Sequence, residues 1–188
     1  MKATADLREE HGGVARMLAI MDRIEGRAHS GEAPNADELA QVIDFLRVFV
    51  DKCHHGKEEM VLFPAMRDSH IATAEGVIDE LLLDHTAGRS AVVAISQAAD
   101  SVASGDEGAL RALADSFAAY TALLRAHIRR EERDCFDVAD RELSAEAAER
   151  LQEGFDRIER EVVGGGVHEA FHELLDRLSF EYGPHRRD

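Results

Sequence analysis

Apolar positions along this chain recur every three to four residues over long stretches, the spacing of helices that bury one face. One such seam holds Ile78, Leu81, His85, Gly88, Val92, Ile95, Ala99 and Val102. A second holds Leu110, Leu113, Phe117, Tyr120, Leu124, His127, Glu131, Asp134 and Val138. Near the N-terminus Leu7, His11, Val14, Leu18 and Met21 share a face, and a less regular seam runs through Ile43, Leu46, Val50, His54, Glu58, Val61 and Ala65. Each long seam is interrupted by a histidine, and two of them add a glutamate four residues later.

Breakers divide the seams. His29–Asn35 has the composition of a turn, with Asn35 or Asp37 able to cap the next helix, and further breaks fall at Pro64–Gly76 and Ser101–Gly108. Ser144 has the character of an N-cap, and Gly164-Gly165-Gly166 marks a last break. The pattern predicts four long helices over 4–28, 36–66, 76–102 and 107–140, then two shorter ones over 145–162 and 167–181. Short connections between long helices predict an all-α fold, an up-down antiparallel four-helix bundle over 1–140. Residues 141–188 then form a helical extension packed on the bundle.

Composition narrows the function classes. Apolar residues make up 45% of the 188, enough for a substantial core. A net charge of -16 argues against nucleic acid and anionic membrane surfaces, which require clustered Lys and Arg. No apolar run has the length of a membrane span, and the first residues lack the apolar region of a secretory signal. A cytoplasmic protein is expected, with Cys53 and Cys135 as reduced thiols.

Four histidines and two glutamates on buried seams pose an energetic problem. An unpaired buried carboxylate costs several kcal/mol, whereas a domain of this size is stable by only about 5–15 kcal/mol. A hydrogen-bonded polar network is one answer and metal coordination is another. Spacing favours the metal, because residues four apart lie on one helix face, so His54/Glu58 and His127/Glu131 can each grip an ion. Imidazole with carboxylate suits iron, zinc or manganese. The two segments also repeat: His54 with Glu58, Glu59 and Phe63 matches His127 with Glu131, Glu132 and Phe136 offset for offset. Glu10-His11 and Asp84-His85 form a looser second pair, which gives the set an approximate twofold order. Pairing His54 with Glu58 preserves that register, while the alternative of His55 with Glu59 places Lys52 on the buried stripe. His55 is therefore expected at the surface or behind a ligand. Glu59 and Glu132 are expected in solvent, or paired with Lys57, Arg129 or Arg130.

The segments EEH (9–11), CHHGKEEMVLFPAM (53–66), LLLDHTAGR (81–89) and HIRREE (127–132) resemble the hemerythrin-like, or HHE cation-binding, domains over roughly residues 5–140. The resemblance implies a non-haem centre of two iron ions, with His11, His54, Glu58, His85, His127 and Glu131 as ligands. It implies a small partner such as O2, NO or peroxide, in oxygen binding, oxygen or iron sensing, the handling of oxidative or nitrosative stress, or iron-centre repair. Oxygen carriers of the family place a second histidine four residues beyond the one on the third helix, where this chain has Arg89. They also use an aspartate five residues after the last histidine, where this chain has Glu132. Both departures point away from simple oxygen carriage and toward the repair proteins.

Other features invite chemistry. His168-Glu-Ala-Phe-His172 has the form of the zinc-protease helix motif, but Leu175 and Leu178 stand where its extended version needs Gly and His, so a packing helix is expected. Tyr120 shares the seam of His127 and is weighed as a donor to the site against a plain core tyrosine. Two functions compete: a reactive di-iron protein, and an iron or oxygen sensor or iron donor that signals through the C-terminal helices.

Overall fold

The structure is a computed structural model that describes residues 3–71, 73–164 and 166–183. Six helices occur among them: α1 (Ala5–His29), α2 (36–68), α3 (Ala74–Ser104), α4 (109–142), α5 (145–163) and α6 (Val167–Glu181). Their ends fall within two residues of the sequence expectation, because local chemistry sets them. Asn35 Oδ1 accepts the backbone N–H groups of Asp37 and Glu38 at 2.8 and 3.2 Å, and Ser144 Oγ accepts that of Ala147 at 3.2 Å. Gly164 and Gly166 take positive φ values of 93° and 82°, a conformation that requires glycine, and so separate α5 from α6; Gly165 lies outside the described residues.

The long helices pack in a ring, α1 on α4, α4 on α3, α3 on α2 and α2 on α1. Their interior contains two apolar clusters. One gathers Val14, Met21, Phe45, Val50, Val92, Ile95, Phe117 and Leu124; the other gathers Leu7, Leu62, Phe63, Ile78, Leu81, Cys135 and Phe136. Each long helix crosses from one cluster to the other at its histidine, α1 and α3 in one sense, α2 and α4 in the opposite sense. The shorter helices join the same clusters, α6 through Leu174, Leu175 and Leu178, and α5 through Leu151 and Phe155. Gly154 of α5 sits flat against α2, where a Cβ would come within 2.6 Å of Val61 Cγ1.

The predicted seams hold in α1 throughout, and in α3 as far as Ile95. In α2, and in α4 from Leu113 onward, they hold up to the glutamate and then slip by one residue. Leu62 and Met66 are buried where Val61 and Ala65 are expected, and Cys135 and Ala139 are buried where Asp134 and Val138 are expected. The cause is a local widening of both helices. Leu46–His55, Glu58–Leu62 and Glu131–Phe136 are wound as π-helix. The N–H of Gly56 bonds to Asp51 C=O, that of Phe63 to Glu58 C=O, and that of Asp137 to Glu132 C=O, each five residues back. A wide turn holds an extra residue, so it rotates everything beyond it by one position. The repeat seen in the sequence is therefore also a repeat of backbone geometry. No helix among the described residues is long and apolar enough to cross a membrane.

The slip predicts that Phe136→Ala costs about 3–5 kcal/mol, while Asp134→Ala, on the face an unslipped helix would bury, changes stability by less than about 0.5 kcal/mol. Urea denaturation of the two variants measures both; equal costs would contradict the slip.

Candidate metal centre

All six sequence-predicted residues meet at the crossing point of the four long helices. His11, His54, Glu58 and Glu131 form one group whose ligand atoms lie within 4.8 Å of one another, and His55, Glu58, His85 and His127 form the second. His11 Nε2 lies 3.2 Å from Glu131 Oε2, and His127 Nε2 lies 3.3 Å from the same oxygen. His54 Nε2 lies 3.4 Å from Glu58 Oε1, and His85 Nε2 lies 3.4 Å from Glu58 Oε2. Both glutamates thus stand between two sets of imidazoles.

His55 corrects the sequence reading. It is not at the surface: it is buried, and its ring stacks on that of His85 with centroids 3.9 Å apart. The wide turns of α2 direct both His54 and His55 inward, one to each group.

Five carboxylates stand behind the five imidazoles. Glu132 takes His11 Nδ1 at 3.0 Å, Glu10 takes His54 Nδ1 at 2.9 Å, and Glu59 takes His85 Nδ1 at 2.7 Å. Asp84 and Asp51 approach the Nδ1 atoms of His127 and His55, each at 3.5 Å. A carboxylate can only accept, so it leaves the proton on Nδ1 and turns the Nε2 lone pair inward. Four of these contacts form a closed circuit: α1 supports the histidine of α2, α2 that of α3, α3 that of α4, and α4 that of α1. Glu59 and Glu132 are therefore neither idle in solvent nor paired with Lys57, Arg129 or Arg130. Sequence reasoning missed these acids as a set, though their signal was present. The acid precedes the histidine directly at Glu10-His11 and Asp84-His85, and follows it by five residues at Glu59 and Glu132.

The centre is unbalanced as a purely organic assembly. Eight buried side-chain N and O atoms among the described residues have no hydrogen-bond partner, and all belong to His55, Glu58, His85, His127 and Glu131. Each such atom costs about 1–3 kcal/mol. Moreover, His11 and His54 bring their Nε2 atoms within 3.0 Å, lone pair toward lone pair. Burial and the neighbouring Glu131 carboxylate push Glu58 well above the usual carboxylate range; Glu131 is held below it, against its burial, by His127 and His11. Burial pushes the His55 imidazole down to about 4, and burial with the nearby imidazoles of His55 and His127 pushes His85 lower still. These rings are neutral ligands at neutral pH. A cation at the centre satisfies the lone pairs and both carboxylates together, so the donor set fits a metal.

A second cluster lies on the outer side of α2. Lys57 is fully buried and donates to Glu10 and to Glu159 of α5, each at 2.5 Å. His168 of α6 stands 3.6 Å from Glu10 and 3.7 Å from Cys53 Sγ. Glu10, Cys53 and His168 are spaced for an ion, but the Lys57 ammonium already supplies the positive charge there. His168 thus belongs to a packing helix, as expected, and His172 is exposed. Both cysteines are free and buried, and burial pushes the Cys53 thiol up to about 12. Tyr120 is buried with its phenol pushed well above its ordinary value by burial.

Comparison with known proteins agrees with this geometry. The hemerythrin HHE cation-binding domain matches residues 2–139. The chain belongs to that family. Uncharacterized proteins of Mycobacterium bovis and Mycobacterium tuberculosis are similar to this hemerythrin-like chain at 25% identity over 177 residues, which covers 94% of it and 68% of each relative. No solved structure matches it.

In the metal-free hemerythrin-like protein, His55 is expected to stay neutral until pH falls to about 4. His127, charged more readily because Glu131 and Asp84 outweigh its burial, is expected to take up its proton above its ordinary 6.5. Imidazole chemical shifts followed through a pH titration by NMR test this order; a His55 that protonates before His127 would contradict the geometry.

Proposed function

We propose that this is a non-haem di-iron protein that binds or reacts with a small oxidant or diatomic, namely O2, NO or peroxide, in the protection or repair of iron centres. The observation that carries the reading is the convergence of unpartnered lone pairs and two carboxylates at one buried point. In this reading His11 and His54 hold one ion, His85 and His127 hold the other with His55, and Glu58 and Glu131 bridge them. Family membership and the imidazole–carboxylate donor set favour iron. The reading also takes 1–140 as an up-down antiparallel bundle with 141–188 packed on it, in keeping with the alternating sense in which the long helices cross the two clusters.

Bound iron would supply electrons and open coordination positions to the small molecule. The protein's own groups do the remaining work. Glu132, Glu10 and Glu59 keep Nδ1 of His11, His54 and His85 protonated and those rings oriented, and Asp51 and Asp84 stand behind His55 and His127. The apolar clusters on either side exclude bulk water. His168 and His54, with the Lys57 charge added to theirs, hold Glu10 ionised against its burial, and the Glu10 carboxylate in turn fixes His54.

One contact chain favours a second reading, an iron or oxygen sensor or iron donor. Lys57 joins Glu10, which supports His54, to Glu159 of α5, and His168 of α6 touches Glu10. A change at His54 would reach both C-terminal helices by that chain. Hydrogen exchange in α5 and α6, compared between metal-loaded protein with and without NO, separates the readings: unchanged protection favours the reactive protein.

Metal analysis of protein from iron-supplemented cells should find two irons per chain, with a visible spectrum that changes on adding peroxide or NO. Chelation should lower Tm by about 5–10 °C, since saturation at about a hundred times Kd contributes about 2.7 kcal/mol. Fewer than one metal per chain, with Tm indifferent to chelation, would overturn the proposal. Glu59→Gln, which removes the charge behind His85, should weaken metal affinity about 10–100-fold, measured by competition with a chromophoric chelator.

A further inference from the structure

A cavity of about 270 Å³ enters the protein between α2 and α3 and ends at the metal centre. Exposed Arg47, Arg89 and Val93 stand at its mouth, Leu46, Val50 and Val92 form its walls, and buried His55, Gly88 and Tyr120 lie deepest. At the mouth Arg89 is matched, donating to Asp51 and to Glu59, each at 2.7 Å, and Arg47 donates to the neutral Ser96 Oγ at 2.8 Å. Beyond the mouth the walls Leu46, Val50 and Val92 are aliphatic, so an ionic ligand moving inward would exchange water for a lining without counter-charge, which is unfavourable. A small neutral molecule meets no such barrier.

Gly88 is the residue that keeps this space open. It sits mid-way along a helix of 31 residues, where glycine costs about 1 kcal/mol relative to alanine. Its φ is not among the positive ones, so the backbone does not require glycine. Close packing does not require it either, because a Cβ built there meets no atom within 4 Å. Gly154 is the contrasting case, forced by contact with Val61. What glycine provides at position 88 is therefore empty volume beside His55, one helical turn from His85.

We propose that this cavity is the access route by which a small uncharged ligand of the size of O2, NO or hydrogen peroxide reaches the centre, and that Gly88 sets the size it admits. The inference rests on the reactive di-iron reading, and two measurements keep the two apart. Xenon, an apolar probe of diatomic size, is applied under pressure to the metal-free protein and followed by NMR. Shifts at the methyl groups of Val50 and Val92, abolished in Gly88→Leu, support an open passage; no shift in the native protein overturns it, whatever metal the protein holds.

On the metal-loaded protein, the rate of the spectral change with hydrogen peroxide is compared with that for tert-butyl hydroperoxide. Gly88→Leu should slow the hydrogen peroxide reaction by about tenfold or more, with metal content and starting spectrum unchanged, and Gly88→Ala by less than about twofold. The bulky peroxide should react slowly even with the native protein. Val92→Phe narrows the same passage one turn away and should act like Gly88→Leu, which provides a second variant if the first folds poorly. Variants that retain metal and react at the native rate would overturn the proposal. A loaded protein that reacts with neither peroxide nor NO would instead remove the reactive reading, and the xenon result would still decide whether the passage is open.

Discussion

Everything in this fold is arranged around a cost: inward-facing imidazole nitrogens and two carboxylates share one buried point, and six of those atoms among the described residues lack a hydrogen-bond partner. A bundle of this size cannot carry that arrangement on apolar packing alone. The protein manages it in two ways. The donor set is shaped to be compensated by cations, and each imidazole is fixed from behind by an acid on its outer nitrogen. Four of those acids pass the support around the ring, and only His55 takes its acid, Asp51, from its own helix. The orientation of the other four histidines depends on the neighbouring helix being in place, and the site and the bundle are therefore one cooperative structure.

The wide turns of α2 and α4 are the backbone's contribution. They occur at the two His-x-x-x-Glu segments and not in α1 or α3, whose histidines stand alone on their seams. In α2 the widening presents His54 and His55 together, which gives two imidazoles on one side and three on the other. Arg89, which occupies the position of a histidine in oxygen carriers, instead holds Asp51 and Glu59, the acids behind His55 and His85. Arg89 thus ties together the acids behind two neighbouring imidazoles, one from α2 and one from α3.

The C-terminal helices are part of this economy. In the bundle α2 presents His54, His55 and Glu58 to the centre, while Cys53 and Lys57 face α5 and α6. That double burial is why its seam is the least regular of the four. A buried ammonium between Glu10 and Glu159 ties the extension to the carboxylate behind His54. The extension thus reaches the centre by way of Glu10, through Lys57 from α5 and through His168 from α6.

The number of helices, their ends to within two residues, the histidine on each seam and the six central donors were all legible in the sequence. Those features are local: helix period, capping side chains and breakers act over a few residues, and a histidine or glutamate on an apolar stripe is visible in the stripe itself. The one-residue slip after Glu58 and Glu131, the inward turn of His55, and the pairing of each acid with the next helix's histidine were decided only by the tertiary structure. A fixed 3.6-residue period cannot register an extra residue held in a wide turn. Glu59 and Glu132 also look like surface charges until the helix that carries their partner stands 3 Å away.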